Sequence, residues 1–382
     1  MLNLNLIESG QTILAYDCKY FYSDKPCKYH KQFGVVCQCE HYTKLDSRIL
    51  IIKLDAMGDV LRTTALLPPL ARKYPSAQIE WITRPESVPL LTNNPYIHTV
   101  IGYGPDALVR LQTSYYDQII NLDANQLSAS LAAMAKGNSR LGYVLHPNGH
   151  VVATNAAAHR WLLMGVNDTL KRANHTETYQ QIMLDILGLD RAGHQYVLEL
   201  SASERDYARK VFDRLTIDRN RPVVGLNVGA GGRWQLKKWR AEGFAELCAD
   251  LHARRIQVVL LGGPSDNPEI EELLAVVKVP VFNPGTHHAL RNFAALVECC
   301  DLVVTGDTLA MHIALARSRR VVVLFGPTSA AEIDLYQLGE SVVPKMDCLC
   351  CYKSTCDFQP NCMDLISVEM VRDAVLRNLS HQ

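Results

Sequence analysis

From residue 48 onward the chain alternates short β-branched runs with helical patterns, and it does so twice. In the first pass "RILIIKL", "AQIEWIT" and "YDQIINL" read as strands, with "VLRTTALLPPLARKY" and "QLSASLAAMAK" as helices between and after them. Such alternation implies parallel strands joined by crossover helices. Helices at "TETYQQIMLDILGL" and "SERDYARKVFDRL" then lead to "RNRP", which reads as a linker, and the pattern restarts. "PVVGLNV", "RIQVVLLGG", "VPVFN", "DLVVTG" and "RRVVVLFGP" give five further apolar strands. The expectation is an α/β protein with two doubly wound parallel sheets, one at 48–218 and one at 219–366, since 382 residues exceed one ordinary core. A Cys-rich extension (1–47) precedes them, and a C-terminal helix (367–382), apolar on one face, is expected to pack back towards the first domain. Between about 142 and 174 the rhythm loosens into Gly, Pro and Asn punctuation, which reads as a flexible insert.

Lys+Arg and Asp+Glu both number 39, so no global field draws the chain to nucleic acid or to an anionic membrane. Any affinity for anions must come from a specific cleft. "MLNLNLIESGQTILAYDC" lacks the basic start and continuous apolar stretch of a leader, and no run approaches the roughly 20 apolar residues of a membrane span. A cytoplasmic protein is expected. The 12 cysteines crowd the two ends of the chain, a distribution that favours metal ligation or plain thiols over disulfides.

In an open α/β sheet ligands sit beyond the carboxyl ends of the strands, where glycine turns feed helix N-termini. "KLDAMGDVLRTTALLPPL" occupies that place in the first half, with Gly58 allowing close approach and Asp59 at or beside the start of a helix. By position alone, helix capping is the commoner use of such an aspartate than catalysis. In the second half "TGDTLAMHIALA" passes from a strand through Gly306 and Asp307 into a helix, an anion-binding arrangement. His312 there either meets a phosphate or packs as a neutral ring. "NVGAGGRWQLKKW" places Gly229 to Gly232 at a strand end, followed by Arg233, Lys237 and Lys238, cations suited to a diphosphate. Cations before a helix oppose its dipole, which points to an anion nearby. Neither a nucleotide P-loop nor a G-x-G-x-x-G after the first strand is present, which argues against a dinucleotide dehydrogenase.

Taken together, "KLDAMGDVLRTTALLPPL", "KKWRAEGFAEL", "VVLLGGPSDNPEI", "TGDTLAMHIALA", "VVVLFGPT" and "CYKSTCDFQPNCMDLISVEMV" resemble glycosyltransferase family nine, the ADP-heptose:lipopolysaccharide heptosyltransferases. The resemblance implies a GT-B fold of two Rossmann-like domains facing across a cleft, the first binding acceptor and the second nucleotide sugar. It implies inversion at the anomeric carbon with no metal or other cofactor at the reaction centre. Asp59 would be the general base, with Gly58 giving room to the acceptor and Arg62 contacting it. Lys237 would partner the diphosphate, and Gly229, Gly232, Asp266, Asp307, Thr308, Met311 and His312 would hold the donor. The implied partners are ADP-heptose and a lipopolysaccharide core acceptor, with at most peripheral contact at the inner membrane. Two other readings stay open: a protein O-heptosyltransferase acting on autotransporter serines, and a nucleotide-sugar-binding protein without turnover.

Two cysteine sets are candidate ligands. Cys18, Cys27, Cys37 and Cys39, with His30 and His41 nearby, can hold one structural zinc or iron or remain reduced thiols. The extension is too short for a core, so metal or docking onto the first domain must order it. Cys348, Cys351, Cys356 and Cys362, with Cys350 additional, match a pattern that the resemblance associates with iron in some relatives and with bare thiols in others. Cys248, Cys299 and Cys300 read as small core residues.

Overall fold

A computed structural model describes residues 14–174, 176–231, 235–353 and 355–380. The first domain is built on β1 (Ser47–Ile52), β2 (Ala77–Thr83), β3 (Thr99–Gly102), β4 (Tyr115–Asn121), β5 (Lys136–Leu145) and β6 (Val151–Ala153). They form one sheet in the order β3-β2-β1-β4-β5-β6, parallel except for the antiparallel β5–β6 hairpin. All seven residues of β2 are buried, as expected where helices cover both faces of a parallel sheet. The region read as a flexible insert is that hairpin followed by helices Ala156–Val166 and Asp168–Ala173.

The second sheet comprises β7 (Val223–Asn227), β8 (Gln257–Leu261), β9 (Leu302–Gly306), β10 (Arg320–Leu324) and β11 (Gly339–Val342). All are parallel, in the order β11-β10-β9-β7-β8. Its fifth strand is not the expected one. "VPVFN" makes only a single bridge, Val259 to Phe282, because Pro280 and Pro284 flank it and lack the donors a ladder needs. Gly339–Val342, with no apolar run to mark it, takes the edge instead.

Seven helices bear on the cleft and on the domain boundaries: α1 (Met57–Thr63), α2 (Tyr179–Leu187), α3 (Ala202–Arg214), α4 (Ala241–Ala253), α5 (Leu290–Glu298), α6 (Leu309–Ala316) and α7 (Val368–Leu379). Two expectations about organisation need correction. Helix α3, placed before the boundary near 218, packs on α5, and its Ala208, Val211 and Phe212 join the core under the second sheet. The second domain therefore begins before Ser201. Helix α7 does not return to the first domain. Its Val368, Val371, Ala374 and Val375 lie in one core cluster with Val224, Leu247 and Val322, because its single apolar face meets α4 and the second sheet.

The N-terminal extension keeps Ala15 as its one buried apolar residue among those described, and it docks onto the first domain. Tyr22 stacks on His98 at 4.0 Å and its hydroxyl donates to the His98 carbonyl, while Gln78 Nε2 donates to the Lys19 carbonyl. Among the described residues no helix is long and apolar enough to cross a membrane.

Candidate active site

Where β1 ends, residues 53–56 carry the chain into α1, and Asp59 is the third residue of that helix. Its carboxylate accepts the Ala56 N–H at 3.3 Å and pairs with Arg62 at 2.9 Å, one turn on. Capping and a charged position facing the cleft are thus the same placement. The Arg62 guanidinium also lies over the Tyr179 ring at 3.7 Å. Burial works to raise the Asp59 carboxyl, but Arg62 and then Lys53 outweigh it and hold it at about 2. Asp59 is ionised at neutral pH.

Behind α1 sits a buried ion pair that the sequence motif alone did not reveal. Lys53 and Asp123 are 4% and 6% exposed, at the ends of the adjacent strands β1 and β4. Lys53 donates to Asp123 and to the Asp55 carbonyl, and Asp123 also accepts the Leu54 N–H at 2.5 Å. Burial disfavours the charged amine, yet the Asp123 charge reverses the balance and keeps Lys53 protonated. The strand-to-helix turn is therefore fixed by a buried charge pair. Asp55 points outward and is held by Arg84 at 3.3 Å.

The opposite wall comes from the second domain. Lys237 Nζ donates to Asp307 Oδ2 at 2.8 Å and to the Asp307 carbonyl at 3.1 Å. Burial pushes the Asp307 carboxyl up, and Lys237 more than compensates, so it is lowered. Thr308 N-caps α6, and its hydroxyl meets Thr305 Oγ1 at 3.0 Å and Asn227 Nδ2 at 3.4 Å. Asp266 accepts the N–H groups of Gly263 at 2.9 Å and Gly231 at 3.2 Å. A Cβ on Gly229 would lie 2.1 Å from its carboxylate oxygen, so Asp266 acts as the peg that locks two glycine turns together. The anion expected near the second lysine is supplied by the protein, since Lys238 pairs with Glu269. Gly232 and Arg233 lie outside the described residues.

His312 is 3% exposed, and its Nδ1 faces the Tyr196 hydroxyl at 3.1 Å. Burial and then Arg62 push it down to about 4, so the ring is neutral. The packed reading holds for it, although one edge still borders the cleft. That edge explains Gly58, where a Cβ would come within 2.7 Å of His312 Cδ2. The glycine lets α1 and α6 approach; it was expected to make room for acceptor. Met311 is corrected outright. It is fully buried in the apolar core with Leu61 and Val323, on the face of α6 turned away from the cleft.

Asp59, Gly58 and Arg62 on one side, and Gly229, Lys237, Asp266, Asp307, Thr308 and His312 on the other, line a single cavity of about 780 Å³. That volume suits a nucleotide-sized ligand. Thr328, Ser329, Glu332 and Tyr352 also line it. None of these four was singled out in the sequence, although Thr328 ends "VVVLFGPT" and Tyr352 lies in "CYKSTCDFQPNCMDLISVEMV", because neither motif by itself marks which residue faces a pocket.

The sequence model of Glycosyltransferase family 9 (heptosyltransferase) matches residues 108–361, well over half of the chain. The chain belongs to this family. It is 24% identical over 290 residues to lipopolysaccharide heptosyltransferase 3 of Escherichia coli, covering 71% of this chain and 81% of that protein. The crystal structure of a family 9 glycosyltransferase from Veillonella parvula superposes with a TM-score of 0.74 at 19% identity, covering 89% of this chain and 99% of the other. E. coli ADP-heptose lps heptosyltransferase II gives a TM-score of 0.64 at 20% identity, covering 87% and 99%. The protein is a glycosyltransferase, and its two parallel-sheet domains facing across the cavity are the GT-B-like arrangement of these neighbours.

Among the described residues no three His, Cys, Asp or Glu side chains converge to hold an ion, and the cysteines are free thiols. Cys18, Cys27, Cys37 and Cys39 border one cavity of about 300 Å³ with His30 and His41, without meeting in a ligand shell. In the tail, burial and then Cys351, Cys356 and Cys348 raise the Cys362 thiol to about 11, which makes them neighbours short of ligation.

Proposed function

We propose that this glycosyltransferase moves heptose from ADP-heptose to a sugar hydroxyl of a lipopolysaccharide core, with inversion. The observation that carries this reading is the placement of Asp59 and the Lys237–Asp307 pair on opposite walls of one cavity, each contributed by a different domain. The heptose donor and the core acceptor come from what the family and its named relatives do. The geometry supplies the chemistry.

Inversion needs the acceptor hydroxyl and the leaving diphosphate on opposite faces of the anomeric carbon. In this reading the acceptor oxygen forms its bond to that carbon while the bond to ADP breaks, and the hydroxyl proton passes to Asp59. Arg62 makes Asp59 a weak base, so proton transfer completes late, when bond formation has made the hydroxyl acidic. Lys237 and the N–H groups at the start of α6 face the charge that grows on the diphosphate. No metal is called on. A lipid-linked acceptor would bring a cytoplasmic enzyme to the inner membrane surface for peripheral contact only.

The test is incubation with ADP-heptose and a heptose-deficient core oligosaccharide, read by ADP release and by NMR of the new glycosidic bond. One ADP per heptose transferred and inverted anomeric configuration are expected. Retained configuration, or transfer only from a different nucleotide sugar or only to serine peptides, contradicts the proposal.

A further inference from the structure

The cavity has a polar device that neither the proposed base nor the diphosphate cradle uses. Glu332, on the segment between β10 and β11, is 9% exposed and still borders the cavity. Its Oε1 accepts the Tyr352 hydroxyl at 3.2 Å, and the same hydroxyl oxygen accepts the Ser329 N–H at 3.2 Å. Tyr352 belongs to the cysteine tract. The tract is tied to the cavity wall by two backbone bonds, Cys350 N–H to the Gly326 carbonyl and Tyr352 N–H to the Pro327 carbonyl. On the other side the Glu332 carbonyl accepts the Tyr179 N–H at 2.9 Å, which fixes the loop to the first domain.

Arg62, the partner of Asp59, and Asp307, the partner of Lys237, both act on Glu332, as does Lys171. Glu332 lines the same cavity as Asp59, Arg62, Lys237 and Asp307. Among the described residues its second oxygen, Oε2, has no hydrogen-bond partner. A carboxylate oxygen that borders the cavity can accept from a ligand's donor, and a polyol supplies one.

We propose that Glu332, held in place by Tyr352, accepts a hydrogen bond from a hydroxyl of the transferred sugar and so helps to set which donor is used. This rests on reading the cavity as the nucleotide-sugar site. The cysteine tract then serves the reaction by carrying Tyr352 to the cleft.

The experiment is calorimetric titration, without acceptor, of ADP and of ADP-heptose into the wild type and into the variants Glu332→Gln, Glu332→Ala and Tyr352→Phe. ADP should bind all four within about twofold. ADP-heptose should bind Glu332→Ala roughly 10- to 100-fold more weakly than the wild type, the worth of one charged hydrogen bond, with a smaller loss in Tyr352→Phe. Unchanged ADP affinity shows that a variant is folded, and Glu332→Gln keeps the test alive if the alanine variant is not. Equal losses for ADP and ADP-heptose, no loss at all, or a wild type that binds the two alike would overturn the inference. A wild type that binds ADP-heptose more tightly than ADP and never transfers it would instead break the functional reading and leave Glu332 with its sugar.

Discussion

The two walls of the cleft solve the same problem, holding a charge ready at a strand end, by different means. On the first-domain wall the Asp59 carboxylate is countered from within its own helix by Arg62, and the turn beneath is pinned by the buried Lys53–Asp123 pair. On the second-domain wall Lys237 is countered by Asp307, 70 residues away, and the surrounding turns are glycine backbone pegged by Asp266. One wall is stabilised locally and from below. The other is assembled from separate strand ends. It follows that damage to the first wall should register as lost stability or lost base, and damage to the second as lost donor handling.

The largest effect should come from Asp59→Ala, which removes the proposed base: kcat should drop by about 10²- to 10⁴-fold while ADP binding is kept, as steady-state kinetics and titration would show. Next comes Lys53→Met. Stranding the Asp123 carboxylate in the interior should cost about 3–5 kcal/mol in urea unfolding, and a loss below about 1 kcal/mol would mean that the pair does not fasten the first wall. Lys237→Ala should cost less in urea unfolding than Lys53→Met, because Asp307 borders the cavity and is less buried than Asp123, and should cut kcat with ADP-heptose by about 10²- to 10³-fold. If its stability fell as far as that of Lys53→Met, the contrast between the walls would be wrong.

How much of this could be read beforehand depends on the same contrast. Asp59 and Arg62 share one motif on one helix, so their pairing was within reach of the sequence. Strands such as β1 declared themselves by a continuous apolar run, Ile49 to Ile52. The Lys53–Asp123 pair needed knowledge that β1 and β4 are neighbours, a fact of topology that no local spacing contains. Met311 was misplaced for a related reason: on a helix buried on most sides, only the packing direction tells which residue faces the cleft. Glu332 and Tyr352 meet through loops, where no period guides the eye. The edge strand β11 lacks an apolar run, and α7 shows which face is sticky without naming what it sticks to.

Smaller effects sharpen the junction between the walls. Gly58→Ala drives a Cβ against His312, so about 1–3 kcal/mol should be lost, and pairing it with His312→Ala should recover part of that in a double-mutant cycle. The smallest effect should come from His194, whose Nε2 meets Asp334 across the domains at 3.0 Å. The Asp334 hydrogen bond raises His194 above its ordinary value, so its contribution is complete below about 6.5 and fades as pH climbs through the folded value. Asp334 is resisted by burial, but the His194 bond lowers it, so that contribution is lost only as pH falls below the ordinary aspartate range. Thermal stability should thus decline on the alkaline side, and His194→Gln should flatten that limb by less than about 1 kcal/mol.

The most direct measurement is a crystal structure of the protein with intact ADP-heptose. The diphosphate should lie against Lys237 and the start of α6, with the anomeric carbon turned towards Asp59 across the cavity. A nucleotide bound elsewhere, or a sugar pointing away from Asp59, would contradict the account.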